Sequence, residues 1–166
     1  MDAAAQRRFR EFVAQRTPAL MRVAYLLAGD QHAAEDLLQT ALTKTAARWR
    51  HLQHADPEGY VRKVMYHEQV SWWRRAARRR ETPTHPVPDV AGDDPTGNSD
   101  LRLSMREALQ RLTARQRATL VLRYFEDRSE TEVAALLGCS VGTVRSQTYR
   151  AVKRLRALAP ELALFT

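Results

Sequence analysis

The sequence predicts an all-α protein of two small helical domains joined by a flexible linker. Three observations predict it. Apolar residues recur at three- and four-residue spacings, and no stretch alternates as a strand would. Helix starts and stops are written in capping residues, prolines and glycines. Residues 82–99, TPTHPVPDVAGDDPTGNS, hold four prolines, two glycines and three aspartates, with almost nothing able to fill a core. A chain of 166 residues divided this way gives two cores, each near the lower size at which a domain folds alone.

Each element has its own signal. Phe9, Phe12 and Val13 make the first apolar stripe, and Thr17-Pro18 places a capping residue before a proline suited to the first position of a second helix. Gly29-Asp30 supplies a left-handed stop and a new cap; Ala34, Leu38, Leu42, Thr45 and Trp49 then share one face of a long third helix. Asp56-Pro57-Glu58 starts a fourth, with Tyr60, Val61 and Val64 inward, running to about Arg80. This N-terminal domain spans 1–81, the linker 82–99 and the C-terminal domain 100–166. In the last, Leu101, Met105, Ala108 and Leu112 form a stripe, and Thr113 with Gln116 makes a capping box ahead of Ala118, Val121, Leu122 and Phe125. Ser129 and Glu132 repeat the box, Gly138 ends that short helix, and Ser140 caps a final one reaching about Ala159 before Pro160.

A net charge of +8 asks for a partner of dense negative charge: a nucleic-acid backbone in the usual case, an anionic membrane surface in the other. The single cysteine, Cys139, excludes an intramolecular disulfide and any cysteine zinc cluster. It reads as a small buried residue in a turn and suits a reducing cytoplasm. The N-terminal MDAAAQRRFREF lacks the apolar core of a signal peptide, and no run approaches the ~18 apolar residues that cross a bilayer, so a soluble cytoplasmic protein is expected.

The strongest motif is SETEVAALLGCSVGTVRSQTYRAVKRLR, Ser129 to Arg156, which meets the steric needs of a helix-turn-helix. Ala134 is small where two helices cross, Gly138 can take the positive φ of the turn, and Val144 can plug the gap between them. The second helix then presents Gly142, Thr143, Arg145, Ser146 and Gln147, residue types that read a DNA groove. Arg150, Lys153, Arg154 and Arg156 follow where flanking phosphates would lie. The second motif is YVRKVMYHEQVSWWRRAARRR, Tyr60 to Arg80, where Trp72 and Trp73 precede Arg74, Arg75, Arg78, Arg79 and Arg80. Such a helix suits a nucleic-acid backbone, with aromatic faces on which unpaired bases stack. Adjacent tryptophans point about 100° apart on a helix, so at most one faces the core. The plainer alternative packs Trp72, covers Trp73 and leaves the arginines as a solubilising tail.

Chemistry has little foothold. His67-Glu68 begins a zinc-protease motif, but Ser71 stands where the second histidine belongs, and His51 and His54 have no third ligand nearby. No Gly-rich phosphate loop occurs, and a non-enzyme without cofactor or metal is expected.

The two motifs, in this order and separated by a proline-rich linker, resemble the extracytoplasmic-function (group 4) sigma factors of the sigma-70 family, of the actinobacterial SigE-like type. Such factors keep only the second and fourth sigma regions and give RNA polymerase its promoter specificity. AEDLLQTALTKTAARW, Ala34 to Trp49, is similar to the family signature that docks on the clamp coiled coil of the largest polymerase subunit. That resemblance gives the contact to Asp36, Leu37 and Gln39. The helix from Pro57 resembles the segment that recognises and melts the minus-ten element: Tyr60, Val61, Val64, Arg74 and Arg75 match, while Met65, His67 and Ser71 replace the usual alanine, asparagine and aspartate. The stretch His67 to Trp73, with Arg74, Arg75 and Arg78, is the candidate minus-ten surface. Ser140, Gly142, Thr143, Val144, Arg145, Ser146, Gln147 and Arg150 match the ending of the fourth region. This implies that Thr143, Arg145, Ser146, Gln147, Arg150, Lys153 and Arg154 bind the minus-thirty-five element, and that the helix around Arg115 to Phe125 meets the flap of the second-largest subunit.

By the same likeness the linker threads near the active-site and RNA-exit channels, with Asp89, Asp93 and Asp94 against basic polymerase surface; aspartates that merely keep a linker solvated are an equal reading. The implied partners are core polymerase and promoter DNA, with room for an anti-sigma protein, no membrane, and a monomer when free. The rival is a stand-alone helix-turn-helix repressor with an N-terminal ligand or dimerisation domain, binding a palindrome as a dimer.

Overall fold

The computed structural model describes residues 1–78 and 99–160, and the side chains of 1–71 and 105–160. Residues 82–98 of the expected linker, Arg79 and Arg80 lie outside the described residues, and the side chains of Trp72, Trp73, Arg74, Arg75, Arg78 and Leu101 lie outside the described side chains. Every described element is helical: α1 (Ala3–Ala28), α2 (Gln31–Ala47), α3 (Trp49–Leu52), α4 (Pro57–Arg78), α5 (Ser99–Gln110), α6 (Ala114–Leu120), a π-helical turn (Val121–Phe125), α7 (Glu130–Leu137) and α8 (Val141–Leu158). The chain divides into two compact units, Met1–Gln69 and Val70–Thr166.

In the first unit α1 packs along α2. Leu20, Val23, Ala24 and Leu27 of α1 meet a buried set on α2 of Ala34, Leu37, Leu38 and Ala41, each large aliphatic side chain contributing about 1.5–3 kcal/mol. Thr45 is also buried, and its hydroxyl donates back to the Ala41 carbonyl at 2.8 Å. Gly29 (φ 88°) takes the left-handed conformation that stops α1, and the Asp30 carboxylate accepts from Ala33 N–H to start α2. On α4, Val61, Val64, Met65 and Tyr66 are buried while Tyr60 is half-buried beneath the Arg48 guanidinium, 5.9 Å from the ring centroid. Gln69 ties α4 to the end of α1 by donating to the Leu27 carbonyl at 3.0 Å. Lys44 of α2 pairs with Glu68 of α4, and Glu58 takes both Arg16 (3.3 Å) and Arg62 (2.5 Å).

Two expectations fail here. Thr17-Pro18 does not start a helix, because α1 runs unbroken with Pro18 inside it. An internal proline costs about 3 kcal/mol, and this one is flanked by packing on either side. Phe9 and Phe12 pack on Trp49 (centroids 5.1 and 5.4 Å) before it, and the Leu20 to Leu27 stripe follows it. The helix of Ala34 to Trp49 also breaks at Arg48, leaving Trp49 to open the short α3 with its ring still buried.

In the second unit α6 and α7 pack on α8, and α5 also touches it. Both capping boxes form: Thr113 with Gln116, and Ser129 with Glu132. Arg117 is fully buried, which the sequence does not announce. Its guanidinium donates to the carbonyls of Leu109 (2.8 Å), Gln110 (3.2 Å) and Leu112 (3.1 Å), acceptors at and just beyond the end of α5, of which Leu109 also accepts from the Leu112 N–H at 3.2 Å. Burial pushes its pKa down to about 10, so it remains charged at neutral pH. Phe125 is a further correction. The stripe of α6 continues through buried Val121 and Leu122, but the wider π turn, closed by Glu126 N–H on the Val121 carbonyl at 2.9 Å, leaves Tyr124 and Phe125 68% and 54% exposed. Cys139 is half-buried rather than buried.

Candidate nucleic-acid interface

The turn between α7 and α8 is built from local chemistry. Gly138 ends α7 at φ 65°, and a Cβ there would meet nothing within 4 Å, so glycine serves the backbone alone. Ser140 then caps α8: its Oγ accepts from Thr143 N–H at 3.1 Å and lies 3.0 Å from the Thr143 hydroxyl. Val144 is fully buried between the helices and Ala151 lies two turns further on the same inner face, with Val133, Ala134 and Leu137 of α7 buried as well.

Helical periodicity sends the rest outward. Gly142, Arg145, Ser146, Tyr149, Arg150, Lys153, Arg154 and Arg156 are exposed, a continuous stripe with five cations, and α8 carries no acidic residue. Thr143 and Gln147 are half-buried at the edge of that stripe. A stripe of this sign and length matches a phosphate backbone, with its N-terminal turns free to enter a major groove. Gly142 is not required by packing, since a Cβ would come no nearer than 3.8 Å to the Ser140 Oγ. Its missing side chain leaves the start of α8 open to close approach.

Two participants escape sequence reasoning. Tyr149, 69% exposed on the stripe, follows Arg145 by four residues and so shares its face, and that spacing is its signal in the sequence. Glu130, in the first turn of α7, accepts from the Arg145 Nε at 2.8 Å.

The outer face of α4 carries exposed Lys63, His67 and Ser71 at successive four-residue steps. His67 and Ser71 were expected there; Lys63 extends the face toward the start of the helix. On α2, Asp36 and Gln39 are exposed, whereas Leu37 is buried at 8% and belongs with Leu38 to the core. Among the described residues no group of three or more histidine, cysteine, aspartate or glutamate side chains could hold a metal ion, and no helix is long and apolar enough to cross a membrane.

Comparison with known proteins agrees with this arrangement. Residues 12–79 match the family model of sigma-70 region 2, and residues 102–155 that of sigma-70 region 4. The chain is 42% identical to the RNA polymerase sigma-E factor of Streptomyces avermitilis over 151 residues, covering 89% of this chain and 83% of that one. It is 32% identical to the ECF RNA polymerase sigma factor SigE of Mycolicibacterium smegmatis, over 93% of this chain and 63% of that one. Among solved structures it resembles the sigma factor RpoE of Bartonella quintana, crystallised with the anti-sigma factor NepR: TM-score 0.69, 26% identity, covering 92% of this chain and 96% of the other. It also resembles CnrH, solved with the cytosolic domain of CnrY: TM-score 0.58, 25% identity, covering 94% and 90%. The chain belongs to the extracytoplasmic-function sigma factors of the sigma-70 family, non-enzymatic subunits that direct promoter-specific transcription initiation by RNA polymerase.

Proposed function

We propose that this sigma factor divides promoter reading between its two ends. The observation that carries the reading is the acid-free, cationic outer stripe of α8, presented by a capped helix-turn-helix. Thr143, Arg145, Ser146 and Gln147 meet base edges of the minus-thirty-five element, joined by Tyr149, while Arg150, Lys153 and Arg154 hold its phosphates. The outer face of α4 at Lys63, His67 and Ser71, together with the stretch that holds Trp72, Trp73, Arg74, Arg75 and Arg78, captures the unpaired minus-ten strand. Domain limits of 1–81 and 100–166 around a linker of 82–99 go with this division, supported by the spans of the two family matches.

Asp36 and Gln39 contact the clamp coiled coil of the largest polymerase subunit, and Tyr124 and Phe125 give the flap of the second-largest an aromatic surface. Neither small domain binds tightly alone; polymerase holds both and raises the effective concentration of the second contact. The free chain is a cytoplasmic monomer. An anti-sigma protein that covers these faces is its regulator, a reading supported by the partners of RpoE and CnrH in their structures.

Transcription reconstituted with core polymerase tests the division. Of Trp72→Ala and Trp73→Ala, one should stay folded and bind the promoter yet fail to open it by permanganate reactivity. If both variants merely unfold the N-terminal domain, the tryptophans are core and the melting assignment is lost.

A further inference from the structure

The ion pair between α7 and α8 has no folding role that would account for it. Glu130 and Arg145 lie fifteen residues apart across the turn, and the Arg145 Nε donates to the Glu130 Oε2 at 2.8 Å with the arginine side chain 69% exposed. An exposed pair of this kind adds little to stability. The cap of α7 does not need it either, because Ser129 and Glu132 complete the box between themselves and Glu132 also faces Arg128 at 3.6 Å. Among the described residues Arg145 is the one α8 cation paired with a carboxylate, while Arg150, Lys153, Arg154 and Arg156 are left for solvent or phosphate. A helix that worked only by attracting phosphate would gain nothing from neutralising one of its own charges.

We infer that Glu130 is a positioning residue for base reading: it pins Arg145 by the Nε and presents the two terminal nitrogens of the guanidinium, already oriented, to a guanine. The planar guanidinium has five N–H donors. With one committed to Glu130, the terminal edge keeps the paired donors that match guanine O6 and N7 in the major groove. A flexible arginine would lose rotamer freedom on binding, and orientation before binding removes much of that loss. This inference rests on the proposal that α8 reads the upstream element.

The test uses the full chain with core polymerase and promoter fragments that the wild-type holoenzyme enriches from a library randomised over the upstream element. Initiation is then compared on every single base-pair substitution of the enriched element. Arg145→Ala should flatten the preference at one G·C pair. Glu130→Ala should lower the preference at that same pair roughly five- to tenfold, within the range of a bidentate contact, and leave the other positions unchanged. Glu130→Gln, whose amide oxygen still accepts from the Nε, should retain most of it, and Glu130→Ala added to Arg145→Ala should change nothing more there. If Arg145→Ala flattens no position, base reading by Arg145 falls and this inference falls with it. If Arg145→Ala flattens one position and Glu130→Ala does not, the inference alone is overturned. A uniform gain on all promoters would make Glu130 a phosphate repeller, and a uniform loss with a lowered melting temperature would make it structural; either outcome overturns the assignment.

Discussion

Replacing Arg117 with methionine should cost the C-terminal unit about 1–3 kcal/mol. Arg117 is fully buried and answers three carbonyls at the end of α5, those of Leu109 and Leu112 in buried surroundings and that of Gln110 partly so. Leu109 keeps the Leu112 N–H at 3.2 Å, so Leu112 is the buried acceptor left without a donor, at about 1–3 kcal/mol. Gln110, partly buried, adds less, and removing the guanidinium returns part of the cost of burying its charge, which keeps the net loss at about 1–3 kcal/mol. A small domain has only about 5 kcal/mol to lose, so the variant should melt at a clearly lower temperature. Native-state hydrogen exchange resolves the two units separately: protection should fall in α5, α6 and α8 and stay unchanged in α1 and α2. Full protection in the variant would mean that water satisfies those carbonyls and that the buried charge contributes nothing.

Four further outcomes follow from individual residues. Gly138→Ala should lower the stability of the second unit by about 1–2 kcal/mol in urea titrations, the cost of a left-handed alanine in open space; a loss above about 4 kcal/mol would reveal a hidden clash. Gly142→Ala should stabilise α8 by about 0.5–1 kcal/mol yet weaken promoter binding by the holoenzyme, and unchanged binding would remove the close-approach role. Tyr149→Ala should leave the melting temperature unchanged while reducing upstream-element affinity; equal affinity would return Tyr149 to ordinary surface. The Ser129 N–H and hydroxyl hold the Glu132 carboxyl below its ordinary range. A depressed carboxylate stabilises the fold above the unfolded pKa and ceases to do so as pH falls through the folded one. The stability gap between wild type and Glu132→Gln should therefore be full at pH 7, shrink as pH falls below about 4.5, and vanish in stronger acid; a gap independent of pH would contradict the cap's charge.

What could be read in advance was local. The caps at Asp30, Thr113, Ser129 and Ser140 and the left-handed stops at Gly29 and Gly138 depend on residues within four positions of each other, and all form. The outer stripe of α8 was legible for the same reason, because a 3.6-residue period separates Val144 and Ala151 from Arg145, Arg150 and Lys153 once the helix is granted. What escaped depends on distant partners. Pro18 looks like a start until Trp49, more than thirty residues on, is seen holding the helix before it. Arg117 resembles any surface arginine until the end of α5 returns over it. No periodicity marks a π turn, so Phe125 was assigned inward and lies outward. Leu37 sits in a docking signature by resemblance, yet helix geometry turns it into the core beside Leu38. Glu130 could not be paired with Arg145 without the angle at which α7 and α8 cross.

On the proposed division of labour, two weak DNA-reading surfaces act together only on polymerase. Gel shift and gel filtration of the purified chain, with and without core polymerase, on the enriched promoter fragment test it most directly. Alone, the chain should run as a monomer and bind weakly, without sequence preference and with steep salt dependence; with core polymerase it should bind that fragment tightly and protect both the upstream and the minus-ten elements. A tight dimer that selects a palindrome without polymerase would contradict the account.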